Sequence, residues 1–320
     1  MLRRRRFWLS LLDMRSCKSR SCSSQNLGEI GEDIRAANYW WLLPAVGIYF
    51  VAVGARTVRW QVLLGPVRRI PSSRLFPVVV IGYAGNNVFP LRAGEFIRAL
   101  LLGRKEEVSA SAVLATIVVE RIFDGITMIL FALFALGFVA LGSALRQLVM
   151  LMSLLFFGAL VAFFLVAASP ARSARLYEWG VERLVPARFR ESVAQVLGRF
   201  LEGLQVLRSG RQMLATFLLS LVMWLLETTK YYFVMEAFDF RVPFHGLMLT
   251  TAVVNLATSI PATPGYLGTF EVAGIEGLKL FGLSSEMAAS FMLVLHAALY
   301  FPITILGLAF MWRESISWLE

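Results

Sequence analysis

The sequence is poor in charged residues. Only 16% of its 320 residues are charged and 58% are hydrophobic, whereas soluble domains carry about a quarter charged residues. Several apolar runs reach the roughly 20 residues that a helix needs to cross a bilayer, and the alternating segments of about ten residues that mark a membrane β-barrel are lacking. These features exclude an ordinary soluble domain and predict an all-α integral membrane protein.

Cysteine and histidine are scarce as well, with two of each. Cys17 and Cys22 stand in a basic, Ser-rich tract without zinc-site spacing, and a chain of this length is not a disulfide scaffold. No HExxH, Walker A or GxSxG motif occurs around His245, His296 or elsewhere, which argues against a metal site, direct use of ATP and serine hydrolysis. No catalytic residue, metal or cofactor is therefore expected.

The basic residues that give the net charge of +10 do not indicate nucleic-acid binding. They cluster in the segments between apolar runs, as the positive-inside rule requires of cytoplasmic loops. A nucleic-acid-binding protein would instead present its basic residues as one continuous patch. Membrane lipids are the expected partners.

Two apolar segments, 86–95 and 258–265, are interrupted in the same way. Both read polar-x-x-Pro-x-x-x-Gly. Proline and glycine break the helical hydrogen-bond ladder and free backbone polar groups, which survive in a bilayer only where protein or a water-filled cavity satisfies them. Paired interruptions in the two halves of a membrane chain indicate a transporter-type binding site.

The basic flanks of the apolar runs predict the topology. Both flanks of the first broken segment are basic and therefore cytoplasmic, so the segment should be a re-entrant hairpin; the second lacks a basic cluster at its entrance and should enter from the outer side. The order span, hairpin, span then occurs twice with opposite orientation, which is an inverted repeat. The prediction totals about five to seven transmembrane helices, with spans at 39–64, 112–141, 148–168, 213–235 and 287–312 and broken re-entrant segments at 75–103 and 244–281.

The chain divides into three parts. A basic tract, 1–38, precedes a membrane domain, 39–312, and a short tail, 313–320. A basic amphipathic linker, 170–211, is expected on the cytoplasmic headgroups, between halves spanning 39–141 and 213–312. This scheme puts the basic N-terminal tract outside; either the tract folds back inside, or an upstream span is missing, and the later loops favour the second interpretation.

The first candidate site follows the first break. Arg92, Glu95 and Arg98 are spaced by three and form one charged row on a helix. Arg92 and Arg98 could hold a lipid phosphate through their planar forks, assisted by Asn86 and Asn87. The same row also fits an ordinary helix start at the interface, with Glu95 near the positive helix end.

The second candidate is an intramembrane charge cluster of Glu120, Arg121 and Asp124. Each ionisable side chain near the bilayer centre costs about 2.5–3.5 kcal/mol on insertion scales, so the cluster should face the protein interior. Arg121 and Asp124 are spaced to pair. The cluster is either a structural ion pair or part of a translocation or proton path. By contrast, Arg56 and Arg59 at the end of the first span match interfacial anchors.

The second break supplies hydroxyl groups and no cation. It could hold a headgroup or an ion, and it also fits a packed kink. Glu227 and Lys230 in the preceding span are read as an internal ion pair. The candidate residues at the break are Thr258, Ser259, Pro261, Thr263, Pro264, Gly265 and Glu271.

Taken together, these motifs resemble the lysylphosphatidylglycerol synthase transmembrane family, the membrane half of the multiple peptide resistance factor. The resemblance covers 39–312. The motifs are Gly85-Asn86-Asn87 through Pro90, Arg92-Ala93-Gly94-Glu95, Glu120-Arg121-x-x-Asp124 and Pro261-x-x-Pro264-Gly265-x-x-Gly268-Thr269-Phe270-Glu271.

The resemblance implies that the membrane region flips a lipid between leaflets, while a separate soluble domain makes the aminoacyl lipid. No such domain follows in this sequence, so translocation of a phospholipid or lipid-linked intermediate across a bacterial inner membrane is expected rather than synthesis. The alternative is a membrane accessory subunit or enzyme for lipid glycosyl or aminoacyl transfer. A separate lipid-modifying transferase and self-association are left open as partners.

Overall fold

Ten α-helices make up the described part of this computed structural model, which covers 19–138, 190–204, 209–259, 263–313 and a few isolated positions between 154 and 186. Short 3-10 turns at Tyr39–Trp41 and Pro264–Tyr266 complete them. The helices are α1 Ser19–Ala36, α2 Leu42–Leu64, α3 Ser72–Val88, α4 Ala93–Glu106, α5 Ala110–Leu136, α6 Arg190–Gly203, α7 Gly210–Met235, α8 Phe244–Thr258, α9 Thr269–Lys279 and α10 Ser285–Arg313.

Three helical segments are long and apolar enough to cross a membrane, namely Tyr39–Leu64, Gly210–Met235 and Ser285–Arg313. Helix α5, with 27 residues, is long enough as well but carries Glu120, Arg121 and Asp124. The prediction of an all-α membrane protein is confirmed. The predicted span 148–168, most of the linker before 190, Pro261, the first 18 residues and 314–320 lie outside the described residues, and the division into halves stays a prediction.

Helices α3 and α4 form the first hairpin, and its break has a backbone cause. Phe89 is extended (φ −104°, ψ 147°) because the following Pro90 disfavours the helical conformation. Leu91 and Arg92 then adopt positive φ values of 59° and 54°, which are uncommon for residues other than glycine and cluster at functional sites. The turn directs the chain back beside α3.

The second break joins α8 to α9 by the same means. Thr263 is extended before Pro264 (φ −65°, ψ 153°). Gly265 and Tyr266 then have positive φ values of 62° and 61°. The two hairpins therefore turn on a proline followed by left-handed residues, and the proline equivalent to Pro90 is Pro264 rather than the Pro261 that the sequence pattern matched with it.

Glycines let the first hairpin close tightly. A Cβ on Gly94 would lie 1.9 Å from the carbonyl oxygen of Gly82, and one on Gly85 would lie 2.9 Å from the Gly94 Cα. No larger residue fits at Gly94 unless the two helices separate. The glycine of the first motif is thus required by the crossing of α3 and α4.

Helices α2 and α7 run antiparallel through the centre of the molecule. Their paired positions advance along one helix as they recede along the other: Arg59 with Ser220, Arg56 with Trp224, Tyr49 with Lys230, and Trp41 with Phe233. Helix α3 of the first hairpin packs on α10, and helix α8 of the second hairpin packs on α5. This pairwise arrangement agrees with an inverted repeat whose hairpins enter from opposite faces.

Two further helices pack against this arrangement. Helix α6, in the linker, lies beside α5, and a Cβ on Gly203 would meet the Ala112 carbonyl at 2.2 Å. Helix α1 packs on α10, where the Ser290 hydroxyl donates to Asp33 at 3.2 Å. Sequence analysis did not predict a helix in the N-terminal tract, because that tract has no apolar run of spanning length.

We expect the two ends of each hairpin to lie on one side of the membrane and the two hairpins on opposite sides. With both native cysteines replaced by serine, single cysteines at Arg69 and Arg104 should react with an impermeant maleimide from the same side. Cysteines at Arg241 and Ser284 should react only from the other side. Labelling in intact cells and in inverted vesicles measures this.

The four positions are exposed, so a lack of labelling reports sidedness rather than burial. If Arg104→Cys were labelled on the side opposite to Arg69→Cys, the α3–α4 segment would cross the bilayer. The inverted-repeat interpretation would then be wrong.

Candidate functional site

A buried ionic network joins four helices around Arg59. The Arg59 side chain is 0% exposed, and its Nη1 lies 2.7 Å from Asp124 Oδ1 while its Nη2 lies 3.4 Å from Glu120 Oε1. The same Nη1 donates to the Ser220 hydroxyl at 2.8 Å, and the Trp224 indole donates to Asp124 at 2.9 Å. Helices α2, α5 and α7 are thus held by one guanidinium group and its carboxylates.

The network extends to the first hairpin through α4. Arg98 Nη2 lies 2.7 Å from Glu120 Oε2. Arg121 contacts Asp124 at 3.3 Å and Glu95 at 3.5 Å, and Glu95 in turn contacts Arg92 at 3.2 Å. The first candidate row and the intramembrane cluster therefore form one continuous structure.

A cavity lies beside this network, between the two hairpins and the central helices. Its volume is about 160 Å³, and a single water needs about 10–15 Å³ of such space, so the cavity has room for a small polar headgroup. Its lining is contributed by helices of both halves and by the turn at Tyr266. Its charged residues are Arg56, Arg92, Glu95, Arg98, Arg121, Glu227 and Lys230.

Of the cations that line the cavity, Arg56 has the longest distance to a carboxylate oxygen. It is 5% exposed, and its nearest carboxylate oxygen, Asp124 Oδ2, is 3.6 Å from Nη1. The faces of Tyr83 and Trp224 lie 5.6 and 5.4 Å away. Within the described part of the chain Arg56 donates no hydrogen bond, so a buried, cavity-lining guanidinium keeps its donors available.

Positive charge is in excess in this part of the protein. Among the described residues, the interior network and the cavity wall hold six cations and four anions besides the Glu271–His296 pair, and counting Glu271 as a fifth anion leaves an excess of one positive charge. The cations are Arg56, Arg59, Arg92, Arg98, Arg121 and Lys230, and the anions are Glu95, Glu120, Asp124 and Glu227. A ligand that completes the charge balance would be an anion.

The tips of the two hairpins meet at the cavity. Arg92 donates to the Thr258 carbonyl from Nη2 at 2.9 Å and from Nε at 3.2 Å, and its guanidinium lies 5.6 Å from the centre of the Tyr266 ring. The Asn87 amide donates to the Thr304 hydroxyl at 2.7 Å. A residue from the first break thus holds the end of α8 at the second.

Two further pairs include residues of the cavity wall, namely Glu227 with Lys230, and His296 with Glu271 behind it. Lys230 bonds Glu227 on the same helix, with the Tyr49 ring 4.7 Å from the ammonium nitrogen. His296 Nδ1 lies 2.5 Å from Glu271 Oε1. The internal Glu227–Lys230 pair agrees with the sequence expectation, whereas the partner of Glu271 was not predicted.

The remaining predicted residues are distributed unevenly around the cavity. Asn86, Asn87 and Thr258 line it. Ser259 and Thr263 are exposed, and their hydroxyls donate to the carbonyls of Asn255 and Leu267 at 2.8 and 2.6 Å. Pro264 and Gly265 form the turn that carries Tyr266. The break therefore shapes the site mainly through its backbone.

Comparison with known proteins agrees with this architecture. Residues 21–307 match the family described as the lysylphosphatidylglycerol synthase TM region. The chain belongs to this family. No solved structure matches it.

Relatives of the chain include membrane proteins of archaea. It is 26% identical to a UPF0104 membrane protein of Methanothermobacter thermautotrophicus over 88% of each chain, and 25% identical to the UPF0104 membrane protein PH1989 of Pyrococcus horikoshii over 85% of this chain and 86% of the relative. It is also 25% identical to glycosyltransferase AglD of Haloferax volcanii, over 82% of this chain but 47% of AglD.

One prediction from the sequence, the role of Arg56 and Arg59, was wrong. Arg56 and Arg59 were taken as interfacial anchors, yet they are 5% and 0% exposed and form the centre of the site. Their spacing near the end of an apolar run matches snorkelling side chains. The signal that could have identified them is the unmatched acidic pair Glu120 and Asp124, which needs more cations than Arg121 supplies.

We expect Arg59→Ala to destabilise the protein strongly. The change leaves Glu120 and Asp124 short of a counter-charge in a dry interior, and breaking a buried pair typically costs about 3–5 kcal/mol. Arg121→Ala should cost less, because the Arg121 side chain is 30% exposed and borders the cavity. Thermal unfolding in detergent measures both variants, and a wild-type melting temperature for Arg59→Ala would contradict the structural role of the network.

Proposed function

We propose that the protein moves an anionic lipid, either a phospholipid or a lipid-linked intermediate, between leaflets with its headgroup in the cavity. The observation that carries this proposal is Arg56, a buried cavity-lining arginine that donates no hydrogen bond among the described residues. Its one carboxylate neighbour, Asp124, also pairs with Arg59 and Arg121, so the Arg56 charge is only partly compensated, and poorly compensated buried charge is unfavourable. A phosphate supplies both the charge and the acceptors that a guanidinium fork binds.

The surroundings of the cavity suit the rest of a lipid. Large apolar side chains at both hairpin tips are exposed, namely Phe89 and Leu91 at the first and Leu267 at the second. They neighbour residues that line the cavity or hold its tips together. Acyl or isoprenoid chains could pack against these tips in the hydrocarbon while the headgroup occupies the polar interior.

Arg92 would then control access to the cavity. In the present structure it donates to a neutral carbonyl acceptor on Thr258. A phosphate offers the guanidinium fork a negative charge and two acceptor oxygens, which a neutral carbonyl does not, so an entering phosphate would compete for Arg92 and release the end of α8. Movement of one hairpin relative to the other around a fixed site is how inverted repeats alternate access.

A second candidate is a membrane subunit or enzyme for transfer of a glycosyl or aminoacyl group to a lipid. The similarity to the glycosyltransferase AglD favours it, although the matched region is less than half of AglD. A separate lipid-modifying transferase and a second copy of this chain are proposed partners. We also propose that the protein lies in a bacterial inner membrane. The relatives named above are archaeal.

The test is lipid movement in proteoliposomes that contain a fluorescent phosphatidylglycerol, with a membrane-impermeant quencher reporting the outer leaflet. Hydrogen bonds to charged groups contribute about 1.5–3 kcal/mol, so Arg56→Gln should slow movement by about tenfold or more at matched protein level. Arg92→Lys keeps the charge but loses the fork and should also be slow.

Arg69→Gln, an exposed arginine in the loop before α3, is the matched control and should move lipid at the wild-type rate. Equal rates for wild type, Arg56→Gln and Arg92→Lys would remove both arginines from the path. Formation of a new lipid product from a sugar-nucleotide or aminoacyl donor, without movement, would favour the transferase alternative.

A further inference from the structure

His296 on the cavity wall and Glu271 next to it differ from the other charged residues of the site. His296 Nδ1 lies 2.5 Å from Glu271 Oε1, while Glu271 Oε2 accepts from the Gly268 amide at 2.7 Å. The imidazole packs on Phe270, with ring centres 4.5 Å apart. Its Nε2 has no hydrogen-bond partner among the described residues, and His296 lines the cavity.

The other carboxylates at the site are poorly suited to carry a proton. Glu95, Glu120 and Asp124 each contact at least one guanidinium group, which stays charged at any accessible pH, and Glu227 bonds the Lys230 ammonium. Protonating one of them would leave a buried cation without its counter-charge, which is strongly unfavourable. Glu271 contacts only His296 among the described charged residues, and histidine is the side chain that titrates near neutral pH.

The position of the pair links both hairpin tips to α10. Glu271 holds the first residues of α9 through Gly268, directly after the second break. One turn beyond His296, the Tyr300 hydroxyl donates to the carbonyl of Asn87 in the first hairpin at 3.3 Å. A change of charge on His296 therefore acts at the point where both moving segments contact one helix.

Several charged or titratable groups face the cavity with His296 or lie on the helices packed against α10. They are Asp33 on α1, Tyr49 and Arg56 on α2, Tyr83 on α3, Arg92, Glu95 and Arg98 at α4, Arg121 on α5, Glu227, Lys230 and Tyr231 on α7, Tyr266 in the second break, and Glu271 on α9. Their pairings leave His296 with Glu271 as its charged contact.

We propose that His296 and Glu271 form a proton-binding site that couples headgroup binding in the cavity to uptake of a proton. The proton enters from the cavity and binds Nε2, while Nδ1 keeps its hydrogen bond to the Glu271 carboxylate, so the pair gains one positive charge. This inference rests on the proposed transport of an anionic lipid and supplies its coupling ion.

The sign of the coupling follows from charge. Protonated His296 adds a positive charge to a cavity that binds an anion, so the protonated protein should bind the headgroup more tightly. By linkage, headgroup binding must then favour proton uptake to the same degree. The affinity for the headgroup should therefore be higher at acidic pH and fall as the pH rises and the site loses its proton.

Binding of short-chain phosphatidylglycerol to the full chain in detergent, at pH 5.5 and 7.5, tests the coupling. This probe is suitable because its phosphodiester keeps one negative charge throughout the range. We expect wild type to bind at least about fivefold more tightly at the lower pH. His296→Gln, which cannot take up the proton, should bind with the same affinity at both pH values.

His245→Gln is the matched control, since His245 is the other histidine of the chain and packs between Phe138 and Phe281 outside the cavity lining. It should keep the full pH dependence. A pH-independent wild type, or a pH dependence that survives in His296→Gln, would overturn the proton site while leaving the transport proposal intact.

A second measurement does not depend on lipid. In His245→Gln protein labelled with ¹⁵N-histidine, the single remaining imidazole should titrate between pH 5 and 8, and Glu271→Gln should move its midpoint. No titration in this range would disprove the proton site. Titration without probe binding at any pH would instead support a proton site but reject the headgroup cavity, so the two proposals fail separately.

Discussion

The structure depends on one buried guanidinium group that bridges two carboxylates one helical turn apart. Arg59 contacts Glu120 and Asp124 at full burial, and the Ser220 hydroxyl and the Trp224 indole complete the polar contacts from α7. Desolvating such groups is costly, so a buried ionic network is weak evidence for stability by itself. Its effect is on geometry, because it fixes the register of three helices that apolar packing alone would allow to slide.

That fixed register gives the two broken segments a rigid frame. Helices α3 and α4 approach closely at Gly82 and Gly94, and the tip they carry reaches α8 through Arg92. Both tips contain residues with positive φ, such as Leu91. This backbone strain persists only when the surrounding structure holds the residues in place. These strained tips on a rigid network are the segments that the proposed alternation of access would move.

Sequence reasoning recovered local features and missed long-range ones. The span 39–64 coincides with the segment Tyr39–Leu64, and both proline breaks lie where the motifs put them, because proline acts on its own neighbours. The pairing of Arg59 with Asp124 joins residues 65 positions apart, and no local period encodes it. The Glu271–His296 pair was not predicted for the same reason, since its two residues lie on different helices.

The buried arginines of the site differ in how closely carboxylates pair with them. Arg59 and Arg98 have close carboxylate partners, as a structural network requires. Arg56, also buried, has a carboxylate oxygen at 3.6 Å that belongs to Asp124, which it shares with Arg59 and Arg121, and two aromatic faces. A protein that needed only stability would lose little by an apolar side chain at this position, because replacing buried charges with apolar groups is often neutral or stabilising. The proposed anionic headgroup would give Arg56, beside the cavity, the close partner that Arg59 and Arg98 already have.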